Sequence, residues 1–470
     1  MSVGSVGPGR ARGSILALLL VAAATFARPS TALAEQGEEV SEEAEPPPLP
    51  PRREVPDLDG RPPSDANDVA DAFLWIPRIL TGPLYLITEY VIRVPLGAAL
   101  YELERAGLLD WLFATGGPVT ILPTVFVEFG LSPSVGIYAA IDGFPFDENR
   151  LSVHAATWGE DWLRLIVRDR IRLREGMDLA FRFEAIRRPD QLLEGFGHDA
   201  TQLPRARFGM EDMEARVELH YRFWRRSELR YDAGYRTVGF YDTNWGGDPS
   251  VSERGPIPPG YPEGYELVFA RADVLVDTHS PERELTRARF RLDLLAELNG
   301  AFGGLTENDP RQLVSSWVRW GGEIAGSTDF LGRGRTLMLR LRTQLVSPLG
   351  SDTVIPFYEY PDAGGSRGPL QGFVTGQLRG QSVVGLTFEY VWPVYALLDG
   401  TISASVGNAF GHHFEGFEWD RLRLGFQIGL LPRFSGEHLV EISLGFGTET
   451  FERGTEVTQV RLVAGTRHGL

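Results

Sequence analysis

From Gly116 onward the chain alternates between apolar and polar residues. In 215–224, Ala215, Val217, Leu219, Tyr221 and Phe223 fall on one side of an extended chain, and Arg216, Glu218, His220 and Arg222 fall on the other. Successive side chains of a strand point to opposite faces, so one face prefers an apolar phase and the other prefers water or ion partners. The division recurs. Val384, Leu386, Phe388, Tyr390 and Trp392 oppose Gly385, Thr387 and Glu389; Leu422, Leu424, Phe426, Ile428 and Leu430 oppose Arg421, Arg423, Gly425, Gln427 and Gly429; Val440, Ile442, Leu444 and Phe446 oppose Glu441, Ser443, Gly445 and Gly447.

A single such strand would also suit a soluble sandwich. Recurrence over most of the chain, in segments near the roughly 9 to 11 residues needed to cross the apolar layer, suits a membrane barrel instead. The ring must close, because an open edge in lipid leaves backbone donors and acceptors unpaired. The pattern predicts an all-β membrane protein, a closed antiparallel barrel over 116–470 with about sixteen strands between Val119 and Gly465. Assignments near Asn149 and Thr455 bear on the count.

Connections differ in length. Short reversals at Leu131-Ser132-Pro133, Trp224-Arg225-Arg226 and Pro432-Arg433-Phe434-Ser435 contrast with long stretches at Arg188–Arg205, Tyr241–Gly264 and Gly350–Gln377. The usual asymmetry of such barrels puts the first group on the periplasmic side and the second outside. Asn244-Trp245-Gly246-Gly247-Asp248 reads as a surface loop.

Ahead of the barrel, Arg10 and Arg12 precede the apolar run Ile15–Phe26, and Ala32-Leu33-Ala34 supplies a small-residue cleavage pattern before Glu35. Residues 1–34 are therefore expected to be a signal peptide. Residues 35–67, rich in Glu, Pro, Asp and Ser, read as an acidic linker with polyproline character. Residues 68–115 are amphipathic but broken by Pro77, Pro83 and Pro95, which predicts short helices at the periplasmic side. A separate small helical domain is the alternative.

Composition narrows the chemistry. The formal charge of −17 disfavours a general nucleic-acid surface, although Arg168, Arg170, Arg172 and Arg174 make a local basic cluster. With no cysteine there is no disulfide, thiol catalysis or thiolate metal site. No GxSxG, HExxH or Walker pattern occurs, and an enzyme is not expected. His412 and His413 beside Glu415 and Glu418 read as solvated loop residues rather than metal ligands. Arg340, Arg342 and Gln344 read as lumen polarity. Trp317, Trp320, Trp392 and Trp419 read as anchors at the barrel ends, with ordinary packing as the competing role.

One long loop carries a more specific signal. Pro356-Phe357-Tyr358-Glu359-Tyr360, then Gly364-Gly365 and Leu370-Gln371-Gly372-Phe373, followed by the strand Val383–Pro393, resembles the sixth extracellular loop and next strand of the bacterial surface antigen family that includes BamA and TamA. Gly195-Phe196-Gly197-His198-Asp199 resembles a glycine-containing loop motif of that family, and Gly407 in Ser405-Val406-Gly407-Asn408 extends the likeness. The resemblance covers the barrel from about Gly116 onward. It implies that Gly364, Gly365, Leu370, Gln371, Gly372 and Phe373 form a loop entering the lumen, with Ser405 and Gly407 as its contact region.

Two departures qualify what is carried over. The family's loop has Arg where this chain has Gln371, and its facing strand has Asp where this chain has Ser405, so any contact there is neutral and weaker. Arg367 and Arg379 are the candidates for a substitute. Residues 35–113 also lack the repeated αββ pattern of periplasmic polypeptide-transport-associated domains.

The resemblance implies a role in envelope biogenesis, meaning membrane-protein insertion, translocation or organisation in the outer membrane. The expected partners are outer-membrane lipids and client outer-membrane proteins or lipoproteins, with no cofactor and no nucleic acid. The alternatives are a passive or selective channel and, behind it, an outer-membrane enzyme.

Overall fold

A computed structural model describes residues 118–278, 288–302, 313–329, 335–351, 353–366, 368–395, 398–434, 437–438 and 440–466. The signal peptide, linker and amphipathic stretch expected at 1–115 lie outside the described residues, as does Arg367. The first strands are β1 (Val119–Glu128), β2 (Ser134–Asp142), β3 (Asn149–Thr157), β4 (Leu163–Arg174), β5 (Met177–Leu193) and β6 (Ala206–Trp224). Then come β7 (Ser227–Asp242), β8 (Tyr265–Asp277), β9 (Ala288–Phe302), β10 (Leu313–Asp329), β11 (Thr336–Pro348) and β12 (Ser382–Tyr395). The last are β13 (Leu398–Phe410), β14 (Arg423–Phe434), the two-residue β15 (Glu437–His438), β16 (Val440–Thr450) and β17 (Val457–Thr466).

Each strand pairs antiparallel with the next, except that β14 passes β15 to pair with β16, and β17 returns to β1. Sixteen strands thus form a closed barrel, with β15 a short extension at one turn. Closure satisfies the backbone that an apolar surround would leave unpaired.

The alternation in sequence becomes the two faces of the wall. Phe388, Ile402, Phe426 and Ile442 are exposed on the outside, whereas Thr387, Ser403, Gln427 and Ser443 are buried within. Residues two apart on a strand share a face, so inward Arg and acid residues pair along single strands. Examples are Arg182–Glu184 at 2.5 Å, Arg216–Glu218 at 2.8 Å, Arg230–Glu228 at 2.6 Å and Arg271–Asp273 at 2.8 Å. From β12 to β16 the inner wall has small positions such as Ser405, Gly425, Gly445 and Gly447 between the charged Glu389, Arg423 and Glu441.

Two expectations need correction. The Leu131–Pro133 reversal joins β1 to β2, and strand parity puts it at the same end as the long loops, away from the Arg225-Arg226 turn. The Ser132 amide donates to Asp190 at 2.6 Å, and Leu131 packs with Leu192 and Val374, so this turn is short because it folds inward onto its neighbours. Trp317 is not an anchor at the membrane surface. It is 0% exposed and belongs to an internal cluster with Phe208, Phe240 and Phe357. The position faces inward, and the adjoining loop residues supply the apolar surface that alternation alone does not reveal. Trp320 and Trp419 are exposed, and Trp392 stacks on Tyr390 at 5.4 Å.

Candidate functional site: an inward loop and the closing seam

The connection between β11 and β12 is the longest described, and it folds into the barrel rather than away from it. Its core is self-bonded: the Ala363 amide donates to Leu378 O at 2.8 Å, Leu370 N to Ala363 O at 2.8 Å, and Gly365 N to Phe373 O at 2.8 Å. Asp362 Oδ1 accepts the Gly364 amide at 2.8 Å, and Oδ2 accepts the Gly376 amide. Burial raises the Asp362 carboxyl above its ordinary range, against the opposing pull of Arg379 and these amides. Gly365 has φ +78°, and a Cβ there would lie 2.1 Å from Thr375 Oγ1, so the paired glycines are required by both conformation and space.

The loop lies on the glycine-rich wall. A Cβ on Gly372 would sit 2.1 Å from Phe446 O and 2.9 Å from Gly447 N, which are backbone atoms that cannot swing aside. From the opposite side, a Cβ on Gly445 would meet Gln371 O at 2.8 Å, and one on Gly447 would meet the Phe373 ring at 2.6 Å. Phe373 is 0% exposed, packed with Leu370, Leu378, Val383 and Ala409. The wall is free of side chains where the loop crosses it, so backbone meets backbone.

Among the described residues, Ser405 and Gln371 hydrogen-bond to other partners. Ser405 Oγ donates to Gly425 O at 3.2 Å, while Gln371 engages through its backbone carbonyl, which accepts from Arg461 Nη1 at 3.2 Å. Gly407 is close-packed against β12, where a Cβ would meet Val384 O at 2.2 Å. Arg379 stays within the loop region, donating to Tyr358 O at 3.2 Å with its guanidinium 5.0 Å from that ring. In the Gly195–Asp199 motif, the His198 carbonyl accepts from Arg423 Nη2 at 3.3 Å, and the same nitrogen donates to Thr201 Oγ1 at 2.7 Å. His413 contacts Ser347 Oγ at 3.0 Å, and Glu418 pairs with Arg421 at 2.8 Å.

Two ionic anchors hold the loop instead, neither singled out by sequence reasoning. The first is Glu359, 1% exposed. Its carboxylate accepts from Arg319 Nη2 at 2.6 Å, Arg236 Nη1 at 3.2 Å and the Tyr265 hydroxyl. Burial alone would raise this carboxyl, but the two guanidiniums hold it below its ordinary range. Arg236 also pairs with Asp212, and Arg319 with Glu297 at 3.0 Å. Here the loop carries the acid and the wall the cations. Beside it, Phe357 is 0% exposed among Phe208, Phe240 and Tyr261, at centroid distances of 5.3, 5.1 and 6.4 Å.

The second anchor sits where the barrel closes. Among the described residues, β1 and β17 share three register pairs, Phe126 with Gly465, Val127 with Ala464 and Glu128 with Val463, extended by the Phe129 amide donating to Leu462 O at 2.8 Å. On its other side β1 pairs with β2 from Val119 to Phe126. Across this seam Arg461 Nε donates to Glu128 Oε1 at 2.6 Å, and Arg461 is 1% and Glu128 3% exposed. Arg461 Nη2 donates to Ser366 Oγ at 2.6 Å, so one guanidinium joins β1, β17 and the loop.

These features define a closed sixteen-stranded barrel with a loop seated in its lumen and a buried ion pair across its first-to-last seam. The fold is similar to that of BamA from Haemophilus ducreyi lacking POTRA domains 1-3, with TM-score 0.51 and 11% identity, covering 74% of this chain and 70% of that one. It is also similar to CdiB from Acinetobacter baumannii (TM-score 0.50, 12% identity) and CdiB from Escherichia coli (TM-score 0.50, 12% identity). The alignments with CdiB cover 74% of this chain but only 60% and 63% of those chains. No protein-family model and no curated relative matches the sequence. The likeness is one of fold.

Proposed function

We propose that this protein is an outer-membrane barrel of the bacterial surface antigen kind that acts in envelope biogenesis, by helping to insert, translocate or organise other membrane components. The observation that carries the reading is the seam. β1 and β17 meet beside a loop seated inside the barrel, and Arg461 bonds both across that join and to the loop. Fold likeness to BamA and CdiB supports the class without fixing the client.

Depletion tests the proposal. Loss of this protein is expected to lower the folded amounts of other barrels or of surface lipoproteins, and a disulfide across the seam at Val127→Cys/Ala464→Cys is expected to reproduce that loss. Unchanged levels of other envelope proteins after depletion, together with solute flux through purified protein in vesicles, would replace this reading with that of a channel.

A further inference from the structure

We infer that Arg461 is a shared positioning residue that makes seating of the long loop and closure of the barrel seam a single event. Its guanidinium divides its donors by function. Nε reaches across the seam to Glu128 at 2.6 Å, while Nη1 and Nη2 reach Gln371 O at 3.2 Å and Ser366 Oγ at 2.6 Å in the loop. A planar fork fixes these directions relative to one another, so Arg461 cannot follow one partner without moving against the others. The site is nearly dry, and a separated Glu128 and Arg461 would each be a buried charge without its counterion. Parting the seam therefore weakens one of the loop's two anchors, and withdrawing the loop loosens the seam.

The location strengthens the coupling. Arg461 is opposite Gly445 in the register of β16 and β17. Gly445 is one of the residues whose missing side chain lets Gln371 and Gly372 approach the wall. The neighbouring loop backbone is thus placed by the same two strands whose outer partner is β1. Neither Glu128 nor the rest of β1 needs to touch the loop for the seam to sense it.

The inference rests on the seam assigned above, but its test uses purified full-length protein in bilayers with no client. Failure of the latch and failure of the biogenesis role are therefore distinguishable. Hydrogen exchange over 362–378 reads the loop, and disulfide yield in Val127→Cys/Ala464→Cys reads the seam, in a chain without native cysteine. Glu128→Gln is expected to speed loop exchange at least tenfold, although Glu128 bonds to Arg461 rather than to the loop, and to reduce seam disulfide yield at least twofold. Exchange in β3 and β4 should stay unchanged as the control for general loosening. Arg461→Lys, which keeps the charge but lacks the fork, should leave more seam disulfide than Arg461→Gln yet still release the loop. Locking the seam by disulfide while leaving Arg461 and Glu128 intact should slow loop exchange at least threefold, a comparison that also serves if Glu128→Gln does not fold. Loop exchange unaffected by Glu128→Gln, or by seam locking, overturns the coupling.

Discussion

Glu359→Gln tests the loop anchor by removing a charge while keeping the side chain's size. In the parent, one buried carboxylate accepts from Arg319, Arg236 and Tyr265. Removing one partner of a buried ion pair costs about 3–5 kcal/mol when the other is left uncompensated. That full cost does not apply here, because Arg236 retains Asp212, with Nε to Oδ1 at 2.9 Å, and Arg319 retains Glu297 at 3.0 Å. Gln also keeps one acceptor oxygen. We expect Glu359→Gln to weaken loop seating by about 2 kcal/mol and Glu359→Ala by about 3 kcal/mol or more. The assay is maleimide reaction at Val374→Cys, a buried loop position. If labelling follows a rapid opening equilibrium, 2 kcal/mol corresponds to about thirty-fold faster reaction. Because the folded carboxyl lies below its ordinary value, the anchor's contribution is fully present above the unfolded value of about 4.5 and is lost as pH falls through the folded value. The parent should therefore release its loop in acid, while Glu359→Gln should lack that component. Labelling within threefold of the parent for both variants, with the same acid dependence, refutes Glu359 as an anchor.

Gly372→Ala places a methyl group 2.1 Å from Phe446 O and should destabilise the seated loop by about 1–3 kcal/mol or more, seen as faster hydrogen exchange over 362–378; parental exchange would contradict the close crossing. Cysteines at Phe373 and Gly447 should crosslink in native membranes, because that ring lies over Gly447; no crosslink under conditions that join Val127→Cys/Ala464→Cys would place the loop elsewhere. Leu424→Arg on the outer face should cost insertion about 2–4 kcal/mol if it lies near mid-bilayer. Gln427→Arg should be milder, because Gln427 faces inward and donates to Glu441 at 2.9 Å; equal folding of the two variants in lipid vesicles would reject the assigned faces or depth.

Alternation in the sequence determined the barrel: Val217, Phe388 and Phe426 had to leave water on the same side of their strands that Glu218, Thr387 and Gln427 could not occupy. The motif residues likewise marked an unusual loop, since Gly364-Gly365 and Gln371-Gly372-Phe373 combine free backbone with a large apolar side chain. Strand periodicity is local, and local spacing sets which face a residue occupies. It does not set which distant residues meet. Glu359 with Arg319, and Glu128 with Arg461 across 333 residues, look in the sequence like members of an acidic and arginine-rich chain. Trp317 shows the same limit, because alternation gives its direction but not the loop that covers it. Only closure of the ring decided these partners: it brought β17 beside β1, returned the long loop onto side-chain-free strands, and buried charges that became stable by finding one another.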